Sequence, residues 1–103
     1  MPDRSQHKVY TRRNKRIEVR VGEQFTIELT GMPGAGYQWS LSTSPLVRLL
    51  KESVDHSEEI GGSATFRFQL EAVRQGTDQL EAHYGRHWEK RNEDAEPFKL
   101  LVK

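Results

Sequence analysis

The sequence predicts an all-β fold, an immunoglobulin-like antiparallel β-sandwich of about seven strands. Three observations carry that expectation. Apolar residues recur in period two in seven short runs; glycine, proline and polar clusters separate the runs; and helical spacing never persists over the roughly 10–12 residues that a helix requires. A chain of 103 residues without cysteine is one domain, and folding buries about two-thirds of its surface, enough for a core without disulfide or metal staples.

The runs follow one another in order. Ile17, Val19 and Val21 alternate with Glu18 and Arg20 until Gly22-Glu23 breaks the pattern. Phe25, Ile27 and Leu29 alternate with Thr26 and Glu28, and Gly31 to Gly36 then turn the chain. Tyr37, Trp39 and Leu41 alternate with Gln38 and Ser40, which places Tyr37 and Trp39 in the core. Residues 46–54, after Pro45, are less regular and ambiguous in period. Phe66, Phe68 and Leu70 form the fifth run, Leu80, Ala82 and Tyr84 the sixth after Gln75-Gly76, and Phe98, Leu100 and Val102 the last. Each run has one buried and one wet face, because successive strand side chains point to opposite sides. The polar segments 55–63 and 89–96 read as loops.

Charge divides the chain. Residues 1–16 carry Arg4, Lys8, Arg12, Arg13, Lys15 and Arg16 against Asp3, while the remainder has fourteen anions and ten cations. Residues 1–15 therefore read as a flexible basic N-terminal arm and residues 16–103 as the folded domain. Set before the first strand, the arm is expected to be dispensable for binding elsewhere. No apolar run is long enough to span a membrane. No secretory signal is read at the N-terminus, which leaves the compartment open between a cytoplasmic chain and a periplasmic or secreted mature form.

Tests for catalytic chemistry fail. Gly31-Met32-Pro33-Gly34-Ala35-Gly36 lacks the Lys and Ser/Thr of a phosphate-binding loop and leads into a strand rather than a helix. His83 and His87, with Glu89 near them, have zinc-like spacing only on a helix, so no metal or cofactor is expected. No Gly-x-Ser-x-Gly elbow occurs, and Asp55, Asp78 and Asp94 all fall in loop or turn segments. The chain reads as a binding protein, not an enzyme.

The gaps between strands hold the remaining signal. Gly34, Ala35 and Gly36 make a tip almost without side chains, Gly61 and Gly62 a second, and Arg86-His87-Trp88 ends a strand with a cation and a large aromatic. On a rigid sandwich these are candidates for a recognition surface. The order Pro33-x-x-Gly36-Tyr37-x-Trp39, Gly61-Gly62 before an aromatic strand, and Arg86-x-Trp88 resembles the chagasin-type inhibitors of papain-like cysteine peptidases. That resemblance covers residues 17–103. In the family, three loops at one end of an immunoglobulin-like sandwich carry Asn-Pro-Thr-Thr-Gly, Gly-x-Gly-Gly and Arg-Pro-Trp. Here Met32 stands for the Asn, Gly34 and Ala35 for the two Thr, Glu59 for the first Gly and His87 for the Pro.

The resemblance implies that Met32, Pro33, Gly34, Ala35, Gly36, Ile60, Gly61, Gly62, Arg86, His87 and Trp88 contact a papain-like cysteine peptidase and occlude its cleft. It implies a monomer with no nucleic-acid or membrane partner. The alternatives are an immunoglobulin-like module for another protein or a carbohydrate, and a nucleic-acid binder that uses the basic arm. The bare tips disfavour a sugar site, and a steep salt dependence of binding would mark nucleic acid.

Overall fold

The computed structural model describes residues 8–31, 37–56, 63–86 and 94–103. They form eight strands: β1 (Lys8–Tyr10), β2 (Arg16–Val19), β3 (Gln24–Gly31), β4 (Tyr37–Ser42), β5 (Val47–His56), β6 (Ala64–Ala72), β7 (Gly76–Arg86) and β8 (Asp94–Val102). Two four-stranded sheets result, ordered β1-β3-β6-β5 and β2-β8-β7-β4. The all-β sandwich is the fold that the alternation predicts.

Period two explains the core. Along β6, every second residue from Ala64 to Ala72 is buried, and the residues between them are half-buried. Opposite these lie Phe25, Ile27 and Leu29 of β3, paired in register with Leu70, Phe68 and Phe66. Directly opposed apolar pairs of this kind are the stabilising unit of a sheet. Ile17, Val19, Leu80, Ala82, Phe98, Leu100 and Val102 supply the facing layer, each at most 2% exposed.

Four departures from the expected pattern have local causes. First, β1 is an eighth strand, so residues 8–15 of the expected arm belong to the folded body; residues 1–7 lie outside the described residues. Tyr10 packs edge-on against Phe25, with ring centroids 6.0 Å apart, and its hydroxyl donates to Glu18 O. The pairings β1·β3 and β2·β8 are parallel, because residues 11–15 carry the chain from the edge of one sheet to the edge of the other. Three cations of the arm also find carboxylates, Lys8 beside Glu23 and Arg12 and Lys15 beside Glu96, and Arg16 at the start of β2 lies beside Glu18.

Second, Val21 is 48% exposed rather than buried. Strand β2 stops at Val19, since Glu23 N–H donates to Arg20 O and the Glu23 carboxylate accepts from Arg20 N–H. Gly22 closes that turn at φ 94°, a conformation that side chains resist. Third, the ambiguity of residues 46–54 is a β-bulge. Leu49 pairs with Leu70 and Lys51 with Gln69, so Leu50 is the extra residue and the apolar period shifts there. Fourth, Asp55, Asp78 and Asp94 lie in β5, β7 and β8 rather than in loops. Ladder pairing continues past the last buried side chain, which an apolar pattern cannot register.

The two ends of the sandwich differ. At one end, residues 20–23, 43–46 and 73–75 are tied by backbone bonds, including Gly22 N–H to Ala72 O, Val47 N–H to Ser44 O and Val73 N–H to Leu46 O. The other end carries the strand termini Gly31, Tyr37, His56, Ala64, Arg86 and Asp94.

Core and bulge positions should respond differently to truncation. Ile27→Ala, at a site with no exposure, should cost about 2–5 kcal/mol. Leu50→Ala, at the 39% exposed bulge residue, should stay within about 0.5 kcal/mol. Urea melts of the two variants check this; equal losses would mean that the bulge register is wrong.

Candidate functional site

Register brings the three motif-bearing segments to a common end. In one sheet Gly31 pairs with Ala64, which pairs with His56. In the other Tyr37 pairs with Arg86, and Tyr84 with Asp94. The strand ends that flank residues 32–36, 57–62 and 87–93 therefore lie together. Segment 32–36 links one sheet to the other, while each of the other two links neighbours within a sheet.

Of the residues expected to make contact, Arg86 is described. Met32, Pro33, Gly34, Ala35, Gly36, Ile60, Gly61, Gly62, His87 and Trp88 lie outside the described residues. The Arg86 guanidinium sits 4.5 Å over the Tyr37 ring. Tyr37 stacks on Tyr84 at 5.5 Å and 20°, and Tyr84 leans on Trp39 at 5.0 Å. Beyond Trp39, the Arg12 guanidinium lies 5.4 Å from the indole. Two cations thus close a stack of three rings. Contacts of this kind contribute about 0.5–1 kcal/mol each at exposed positions and more where water is excluded.

Trp39 is buried, as its place in the alternation predicts, and its indole N–H donates to Thr30 O at 3.1 Å. That bond joins β4 to β3 across the sandwich. Tyr37, expected in the core beside Trp39, is instead half-buried at the start of β4, where its ring lies between Tyr84 and Arg86. Gly31 makes the close approach of the rings possible, because a Cβ there would meet Tyr84 Cε1 at 2.9 Å and Trp39 Nε1 at 3.2 Å. From sequence, Gly31 is only the first residue of a glycine-rich turn. Its packing role is visible in three dimensions alone.

Glu96 is the second feature that the linear sequence hides. It points inward on β8, on the same face as Phe98 and Leu100, and is 8% exposed. One oxygen accepts from Arg12 Nε (2.9 Å) and Nη2 (2.5 Å), the other from Lys15 Nζ (2.7 Å). The hydrogen bonds from Lys15 and then Arg12 outweigh burial and hold its pKa below the usual glutamate value. The expected loop 89–96 conceals this residue, since β8 already begins at Asp94.

His83 is partly buried beside Glu81, at 3.0 Å, and His87 lies outside the described residues. Among the described residues no group of His, Cys, Asp or Glu side chains could hold a metal ion. No helix among the described residues is long and apolar enough to cross a membrane.

The class defined by this geometry is a rigid two-sheet scaffold that presents three inter-strand segments at one end. The family model described as Chagasin family peptidase inhibitor I42 matches residues 18–102, and the chain belongs to that family. Its members are inhibitors of peptidases rather than enzymes. Among solved structures, the chain is similar to the cysteine protease inhibitor EhICP2 from Entamoeba histolytica, with TM-score 0.82 and 17% identity over 93% of this chain and 95% of that one. It is also similar to Amebosin, with TM-score 0.72 and 22% identity over 94% and 98% of the two chains. A third similar structure is PbICP-C, solved in complex with falcipain-2, with TM-score 0.63 and 17% identity over 100% and 96%. No curated protein sequence matches the chain significantly.

Glu96 fixes an expected pH dependence. A carboxylate whose native pKa is lowered contributes stability above its unfolded value of about 4.3, and that stability is lost as pH falls through the native value. Tm should therefore hold from neutral pH to about 5 and fall below that. Glu96→Gln should flatten part of that acid limb. A Glu96→Gln profile parallel to that of the unaltered protein would show that folding does not lower the Glu96 pKa.

Proposed function

We propose that this chain is a reversible, competitive inhibitor of papain-like cysteine peptidases, and that it works by filling the active-site cleft. The observation that supports this best is the register that gathers the ends flanking all three motif-bearing segments at one end of the sandwich. Membership of a peptidase-inhibitor family supports the inhibitory role, and the order of the motifs supports the class of target.

In this reading Gly34, Ala35 and Gly36 enter a slot shaped for an extended peptide, since a tip with almost no side chains is narrow. The chain on either side is anchored. Gly31 is locked in β3, Tyr37 is paired in β4, and the Trp39–Thr30 bond ties the two strands. Anchoring lowers the entropy lost on binding and holds the tip away from the geometry that a thiolate attacks. Gly61 and Gly62 flank the cleft on one side. Arg86, His87 and Trp88 flank it on the other, with Trp88 the apolar anchor and Arg86 its polar neighbour, a composition typical of interface hot spots. One chain carries all three segments, so a monomer suffices.

Titration against papain tests the proposal, with inhibition expected at nanomolar inhibitor from an interface of ordinary size. No inhibition at micromolar concentration would refute it, and rapid cleavage within residues 32–36 would refute occlusion. Trp88→Ala should weaken inhibition at least ~30-fold, as loss of an anchor worth about 2 kcal/mol requires. Ala35→Trp should also weaken it, by widening the tip. Neither change should move Tm. A fall in Tm without loss of inhibition would take Trp88 out of the contact surface.

A further inference from the structure

We propose that Arg12, in the stretch expected to be a dispensable arm, is a positioning residue for the inhibitory end of the molecule; the inference rests on the function proposed above. The path from Arg12 to that end is continuous. Its guanidinium covers Trp39, which packs on Tyr84, which stacks on Tyr37, which carries Arg86. Trp39 and Gly31 fix where β3 hands over to β4, while Tyr37 and Arg86 are directly paired across β4 and β7.

A second branch leaves from the same side chain. Arg12 Nε and Nη2 both donate to Glu96 Oε1, and Glu96 lies two residues beyond the start of β8, where segment 87–93 rejoins the sheet. One guanidinium thus grips both the ring stack that includes Tyr37, where β4 begins, and the first residues of β8. Arginine is suited to this, because its planar face stacks on a ring while its edge donates two bonds to one carboxylate. Residues 11–15 are themselves held. Thr11 N–H donates to Asn14 Oδ1, Asn14 N–H to Thr11 O, and Lys99 N–H to Lys15 O. Arg12 is therefore presented from a closed turn. It acts through Trp39 and Glu96 and need not touch the peptidase.

Amide hydrogen exchange on the free protein, paired with inhibition of papain, tests this. Arg12→Ala should speed exchange at least ~10-fold at Gly31, Tyr37, Arg86 and Ala95. Core amides such as Ile27 and Phe68 should keep their rates. The inhibition constant should rise at least ~10-fold, mainly through faster dissociation. Arg12→Lys should recover part of both effects, since it restores a charge beside Glu96 without the planar stack. Arg13→Ala, one residue on and exposed, should change neither. Unchanged exchange at the four strand-end amides, or a uniform rise across the sandwich, would overturn the proposal. So would faster exchange there with an unaltered inhibition constant. If the unaltered protein fails to inhibit, the functional reading falls, and the exchange pattern alone still decides whether Arg12 holds the strand ends.

Discussion

Trp39 holds the two sheets together at the end where three long connections leave them. Its indole is 5% exposed, and its N–H reaches Thr30 O in the opposite sheet. A sandwich gains most of its stability from apolar faces that are non-directional, and such faces alone permit small slides of one sheet over the other. A hydrogen bond between sheets removes that freedom at a chosen level. The neighbouring side chains fit around the bond. Gly31 has no Cβ to obstruct it, Tyr84 packs on the indole, and Arg12 covers the ring from the N-terminal crossover.

Glu96 shows why the crossover belongs to the folded body. An inward-facing carboxylate costs several kcal/mol to bury unless its oxygens are matched by cations in good geometry. Here two cations from residues 12 and 15 match both oxygens. The two cations themselves stay exposed, so the inward carboxylate is matched from the rim of the sandwich. With Lys8 beside Glu23 and Arg16 beside Glu18, four cations of residues 8–16 face three carboxylates within the molecule.

Most of the sandwich was legible because burial follows the backbone period. Phe25, Ile27 and Leu29, or Phe98, Leu100 and Val102, need no partner to be recognised as one face of a strand. Legibility failed where another interaction competed with that period. Val21 obeys the alternation but falls in a turn that Gly22 and Glu23 close, and Leu50 shifts the alternation by standing outside the ladder. Three residues, Lys8 to Tyr10, are too few to show a period at all, and β1 is held by Tyr10 on Phe25 and by its ladder with β3. At the candidate site, the motifs marked the segments between strands, whereas Tyr84, Gly31, Arg12 and Glu96 carried no signal. Their roles come from neighbours on other strands or on the crossover of residues 11–15, not from residues adjacent in the chain. Tyr84 meets Tyr37 and Trp39, and Arg12 meets Glu96.

This division of labour bears on the departures from the family motifs. Met32, Gly34, Ala35 and His87 lie in segments between strands, outside the described residues. The frame beneath is set by inward alternation, by the Trp39 bond and by the Arg12–Glu96 contact. On the function proposed above, Gly34 and Ala35 in place of two threonines change what the tip can donate and accept, while Gly31 and Tyr37 on either side keep their ladder pairs. Polar contacts removed from the tip must be offset by fit and by rigidity, because a bare backbone gains little from each contact and loses more conformational entropy when it is fixed. On that reading a plain tip has the stronger need for anchors that do not move, and the proposed role of the ring stack between Arg86 and Arg12 is to supply them.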